Sequence, residues 1–107
     1  MEEAVVFRNL DKVRFIIQEA TKLDVGYAYD DLVFSEHGLF IIRFNDEDEN
    51  ILYCYFNKDC IPAKQKLMQT ELTDVADLNG IKMIYKGKFE MEQLEGQDEF
   101  ELKLYEN

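Results

Sequence analysis

The spacing of apolar residues along the chain alternates between helical and strand periods. From Glu2 to Leu23, the residues Val6, Leu10, Val13, Ile17 and Ala20 recur at steps of four, three, four and three. Phe7 and Ile16 widen the stripe, which predicts an amphipathic helix. Glu2 and Glu3 suit the positive end of its dipole and Lys22 the negative end. Asp24 and Gly26 mark where it stops.

The period then falls to two. "YDDLVFSEHGLFIIRF" predicts a hairpin around Glu36-His37-Gly38, with Gly38 at the left-handed position of a three-residue loop. That register sets Ser35 against Leu39, Phe34 against Phe40, Val33 against Ile41, Leu32 against Ile42 and Asp31 against Arg43. One face then carries Leu32, Phe34, Phe40, Ile42 and Phe44. The other carries Val33, Leu39, Ile41 and an Asp31–Arg43 ion pair. Leu52 to Phe56 is apolar on both faces and predicts an interior strand. Pairing Phe44 with Leu52 puts Cys54 and Phe56 on the core face, and Tyr53 and Tyr55 on the other. A one-residue slip would exchange the two sets.

A second helix is predicted from Cys60 to Leu78, capped by Asp59 with Pro62 in its first turn. Ile61, Leu67, Met68, Leu72, Val75 and Leu78 form its stripe, and Asn79-Gly80 ends it. "IKMIYKGKFEME" alternates again, with Ile81, Met83, Tyr85, Phe89 and Met91 on one face and Gly87 placed for a bend or bulge. After the turn "LEGQD", Phe100, Leu102 and Leu104 alternate with Glu99, Glu101, Lys103 and Tyr105. This second hairpin has a charged outer face that discourages edge pairing.

The order is therefore α-β-β-β-α-β-β, an α+β chain with an antiparallel sheet of about five strands and both helices packed on one face. A length of 107 residues fits a single domain, 1–107, with no repeat or linker. This element order, together with the acidity of the chain, resembles the type III secretion chaperone-like fold over its whole length. The helix that ends those chaperones is absent here. The resemblance implies a chaperone-like binding role and assigns no residue to it.

Composition narrows the function classes. Hydrophobic residues make up 47% of the chain, with eight Phe and six Tyr, as a folded protein requires. Twelve basic residues against 23 acidic ones leave a net charge of −11. A phosphate backbone would be repelled by it, whereas a basic protein partner would not. The apolar run Ala4 to Phe7 is too short for a signal peptide or a membrane span. Cys54 and Cys60 stand at no metal or redox spacing, and a reduced, cytoplasmic protein without cofactor or metal is expected.

The candidate chemistry is sparse. The acids Asp46 to Glu49 begin like a calcium loop, but its sixth position is Ile51 and its twelfth Asn57. A solvated turn is the simpler reading. His37, the one histidine, sits beside Gly38 in a tight turn and faces solvent. Cys60 at the start of the second helix would gain thiolate character from the dipole, although small buried thiols are common packing residues. Nothing forms a phosphate loop, a nucleophile elbow or a carboxylate pair.

The face opposite the helices is more informative. It is expected to carry Val33, Leu39, Ile41, Tyr53, Tyr55, Ile84 and Tyr105, rimmed by Asp31, Arg43, Lys82 and Lys86. Burying one such aliphatic side chain is worth about 1.5–3 kcal/mol, so a wet cluster of them points to a protein contact or to cover by a loop or the N-terminus. The leading expectation is a non-catalytic binding module, adaptor or chaperone-like, that uses this face for a partner or a homodimer. One alternative is an acidic immunity protein or antitoxin that neutralises a basic toxin. The other is a thiol enzyme or redox sensor that uses Cys60.

Overall fold

A computed structural model describes residues 9–93 and 100–106. Helix α1 spans Leu10–Thr21 and starts where Asn9 caps it, its Oδ1 accepting the Lys12 amide at 3.0 Å. The helix therefore begins later than the expected Glu2, and Glu2, Glu3, Val6 and Phe7 lie outside the described residues. Val13, Ile16, Ile17 and Ala20 are buried along one stripe, as their spacing requires. Lys22, in a left-handed conformation, closes the helix by donating its amide to the Gln18 carbonyl.

The strands are β1 (Val25–Tyr29), β2 (Leu32–Ser35), β3 (Phe40–Phe44), β4 (Ile51–Asn57), β5 (Lys82–Gln93) and β6 (Phe100–Glu106), with α2 (Pro62–Leu78) between β4 and β5. They form one sheet in the order β1-β2-β3-β4-β5-β6. The order of elements is thus α-β-β-β-β-α-β-β, an α+β fold with one more strand than expected. Strand β1 is that addition, joined to β2 by the two-residue turn Asp30-Asp31, in which Asp30 is left-handed. The sheet is antiparallel except between β4 and β5, which run parallel because α2 returns the chain to the end where β4 began.

Both helices cover one face. Val13, Ile16 and Ile17 of α1 and Met68, Leu72 and Ala76 of α2 share a cluster with Val33, Phe40, Ile42, Cys54, Phe56 and Met83 of the sheet. Helix α2 uses a narrower stripe than expected. Ile61 stands at its N-cap, and Ile61, Leu67 and Leu78 are exposed, Leu78 to 86%. The expected Asp59 cap is not formed; the Asp59 amide instead donates to Asn57 Oδ1 at 2.8 Å.

Two one-residue insertions decide which side chains face away from the helices. The first is in the β2–β3 loop, where His37 and Gly38 are both left-handed, at φ 63° and 61°. Ser35, buried beneath them, accepts the amides of Leu39 and Phe40 on its Oγ at 3.1 and 3.2 Å. The loop is consequently longer than the expected Glu36–Gly38, and the register moves by one: Leu32 faces Arg43, Val33 faces Ile42 and Phe34 faces Ile41. This puts Val33 under the helices and turns Leu32 and Phe34 to the other side. The Asp31–Arg43 ion pair survives the slip at 3.0 Å.

The second insertion is a bulge in β5. Tyr85 pairs with Cys54, yet Tyr55 pairs with Gly87, so one extra residue is accommodated between them. Met83 and Tyr85 face the helices while Phe89 faces away from them, against the expectation of one continuous stripe from Ile81 to Met91. The pairing of β3 with β4 agrees with the expected Phe44–Leu52 register, with Cys54 and Phe56 on the helix side and Tyr53 and Tyr55 opposite.

Candidate functional site

The helix-free face has its own apolar centre. Ile41, Tyr55 and Phe89 are buried there, flanked by the half-buried Leu32, Phe34, Tyr53, Leu102 and Leu104. No residue of either helix belongs to this cluster. Ile84, opposite Tyr53 in the parallel register, extends it across β5.

At the β1 end the face becomes aromatic and open. Cross-strand pairing sets Tyr27 against Phe34 and Tyr29 against Leu32. The Tyr27 and Phe34 rings meet at a centroid distance of 5.8 Å, and Tyr27 stacks on Tyr29 at 6.5 Å with planes 9° apart. Tyr27 is nevertheless 59% exposed and Tyr29 65% exposed. The two rings are held in place by each other and by β2, yet most of their surface meets solvent. A large, rigid, amphipathic ring with two side-chain torsions costs little entropy when it docks, which is why tyrosine is enriched at interfaces.

Next to the apolar centre lies a polar groove of about 280 Å³ lined by Asp31, Arg43, Asn45, Tyr53, Tyr55, Lys86 and Glu106, among others. Its side chains are chained together. Arg43 donates to Asp31 at 3.0 Å, Tyr55 donates its hydroxyl to Glu106 at 2.9 Å, and Lys86 stands 3.9 Å from Glu106. Lys86 also lies 5.1 Å from the centroid of the Tyr53 ring, whose hydroxyl accepts from Asn45 at 2.9 Å. Hydrogen bonding to Asp31 raises the Arg43 pKa. Burial raises that of Tyr55, and the bond to Glu106 adds to it. Such mutual satisfaction ties the side chains of the groove to one another.

The expected interface residues divide. Ile41, Tyr53, Tyr55 and Ile84 belong to the helix-free side, but Ile41 and Tyr55 are fully buried and support the surface instead of lining it. Val33 and Leu39 pack in the helix-side cluster and leave the proposed surface, because of the register slip in the β2–β3 hairpin. Tyr105 alternates with Leu104 and so points to the other side, where its hydroxyl donates to Glu90 at 2.9 Å. Glu90 also takes Lys58 at 2.8 Å, and that contact chiefly lowers its pKa. Sequence reasoning missed Tyr27 and Tyr29. Their alternation in "VGYAY" was the available signal, masked by Gly26 and by the brevity of the strand.

The remaining chemical candidates have local roles. The acidic turn is exposed and built from its own side chains: Asn45 Oδ1 accepts the Glu47 amide at 2.7 Å, and Asp48 Oδ1 accepts the Asn50 amide at 2.8 Å. Among the described residues no group of three or more His, Cys, Asp and Glu side chains is placed to hold a metal. His37 is exposed in its loop. Both thiols are free and buried. Burial pushes the Cys54 thiol pKa far above its usual range, and Cys60 precedes the helix it was expected to begin, with its Sγ directed to the Ile61 carbonyl. No helix among the described residues is long and apolar enough to cross a membrane. Comparison of the chain with protein-family models, curated proteins and solved structures finds no match.

Proposed function

We propose that this chain is a non-catalytic, cytoplasmic protein-binding module, adaptor-like or chaperone-like, that engages its partner through the helix-free face of the sheet. The observation that carries this reading is the pair Tyr27 and Tyr29. They are exposed to 59% and 65% on a neutral strand, and they continue into an apolar centre that neither α1 nor α2 covers. An aromatic anchor beside half-buried aliphatics, rimmed by an ion-paired groove, matches the anatomy of a docking surface with an apolar core and a polar rim.

Two variants test it. Tyr29→Glu alters the open face, and Leu78→Glu alters an exposed position of α2; neither side chain belongs to a buried cluster. A partner that binds the native chain should be lost from the first variant and kept by the second. Equal retention by both refutes the reading.

A second reading is an acidic immunity protein or antitoxin directed at a basic toxin. It is favoured by the net charge of −11 and by the exposed Asp46 and Glu47 at the lip of the groove. Replacing the acids of positions 46–49 with Ser or Asn should then slow association and flatten its salt dependence, with little change in dissociation.

A further inference from the structure

The two edges of the sheet are built differently. Strand β6 carries the exposed charges Glu101, Lys103 and Glu106, and Lys103 lies 3.7 Å from Glu92 and 3.8 Å from Glu101. An edge with charged side chains resists the addition of another strand. Strand β1 carries no charge from Val25 to Tyr29, and Gly26, Tyr27, Ala28 and Tyr29 are all exposed. Among the described residues no strand pairs with its outer side.

The segment around β1 is rich in acids, two of which are paired by arginines of neighbouring elements. Residues 24–36, which hold the whole β1–β2 hairpin, include the acids Asp24, Asp30, Asp31 and Glu36 and no lysine or arginine. Arg14 and Arg43 reach in from α1 and β3 to pair with Asp24 and Asp31. Asp24 stands immediately before the strand, and Asp30 immediately after it. A second copy of the chain pairing edge to edge would bring two chains of net charge −11 together.

We infer that β1 is an acceptor edge for an extended segment of a basic partner protein, which adds to the sheet as a further strand. The inference rests on the protein-binding reading above and specifies its mode. The incoming strand sets apolar side chains on Tyr27 and Tyr29 and carries lysines or arginines that meet the net charge of −11 of this chain. Main-chain hydrogen bonds to β1 supply the affinity, and the tyrosines supply the selection along the strand. Long-range attraction to a chain of net charge −11 makes the association fast and salt-sensitive.

The test uses the whole chain and a synthetic peptide with two lysines at each end of a Val-Thr-Val-Thr-Val core, against the same peptide ended in glutamates. Amide hydrogen exchange of Val25–Tyr29 and the methyl resonances of Ile84 and Leu102 are followed together. The lysine-ended peptide should slow β1 exchange by about tenfold, as strand pairing protects amides. The glutamate-ended peptide should not, and Tyr29→Lys should abolish the effect. Equal protection by both peptides overturns the basic partner. Protection that grows with chain concentration without peptide identifies a second copy as the occupant and overturns it too. Methyl shifts without β1 protection overturn strand addition but leave the open-face reading standing. Silence of both probes counts against both.

Discussion

The hydroxyl of Tyr55 in β4 donates to the Glu106 carboxylate in β6 at 2.9 Å, across a strand that separates them. The residue between is Gly87, which pairs with Tyr55 on one side and with Glu106 on the other. The same position approaches β6 so closely that a Cβ there would overlap the Tyr105 carbonyl oxygen. The bulge, the glycine and the tyrosine therefore form one device, which ties three strands together on the helix-free side.

Gly87→Ala should destabilise the fold by about 2–4 kcal/mol, since the added methyl meets backbone that cannot move without parting β5 from β6. Urea denaturation measures the loss. A control substitution at Gly80, where a Cβ would meet nothing within 4 Å, isolates the steric part from the strain of a positive φ.

Tyr55→Phe should cost about 1.5–3 kcal/mol, the net contribution of a hydrogen bond to a charged group. The pH dependence carries a sign. Burial and Glu106 raise the folded-state pKa of Tyr55 above its ordinary value of 10.0. The stability linked to that shift is complete below pH 10 and is lost as pH rises through the raised value. The difference in urea midpoint between the native chain and Tyr55→Phe should therefore shrink under alkaline conditions.

Ser35→Ala should cost about 1–3 kcal/mol, because the amides of Leu39 and Phe40 lose their acceptor inside the loop. Thermal unfolding would measure it. An unchanged midpoint would mean that the loop finds another acceptor, and the register argument for β2 would then lose its anchor.

These positions also explain how far the sequence could be read. The helical spacing of Val13, Ile17 and Ala20, and the alternation through Leu52, Cys54 and Phe56, reflect burial against one face, so they were legible directly. The Phe44–Leu52 register followed from the same alternation. The β2–β3 register did not, because consecutive left-handed residues at His37 and Gly38 lengthen a loop by one residue, whereas the three-residue loop expected there needs only Gly38 in that conformation. Phe89 changed sides for the same kind of reason, one extra residue at the bulge. The parallel joint between β4 and β5 was present in the strand–helix–strand order and went unread. Strand β1 was hidden because its tyrosines are wet: a strand that buries little gives little hydrophobic signal.

That exposure is also what the functional proposal stands on, and a photo-reactive phenylalanine analogue tests it most directly. It would be placed at Tyr29 on the open face, and separately at Leu67 and Leu78 on the exposed side of α2, in the cell that makes the protein. Cross-links to one partner protein from Tyr29, with none from Leu67 or Leu78, are expected if the helix-free face is the docking surface. Cross-links to that partner from α2 alone would contradict it.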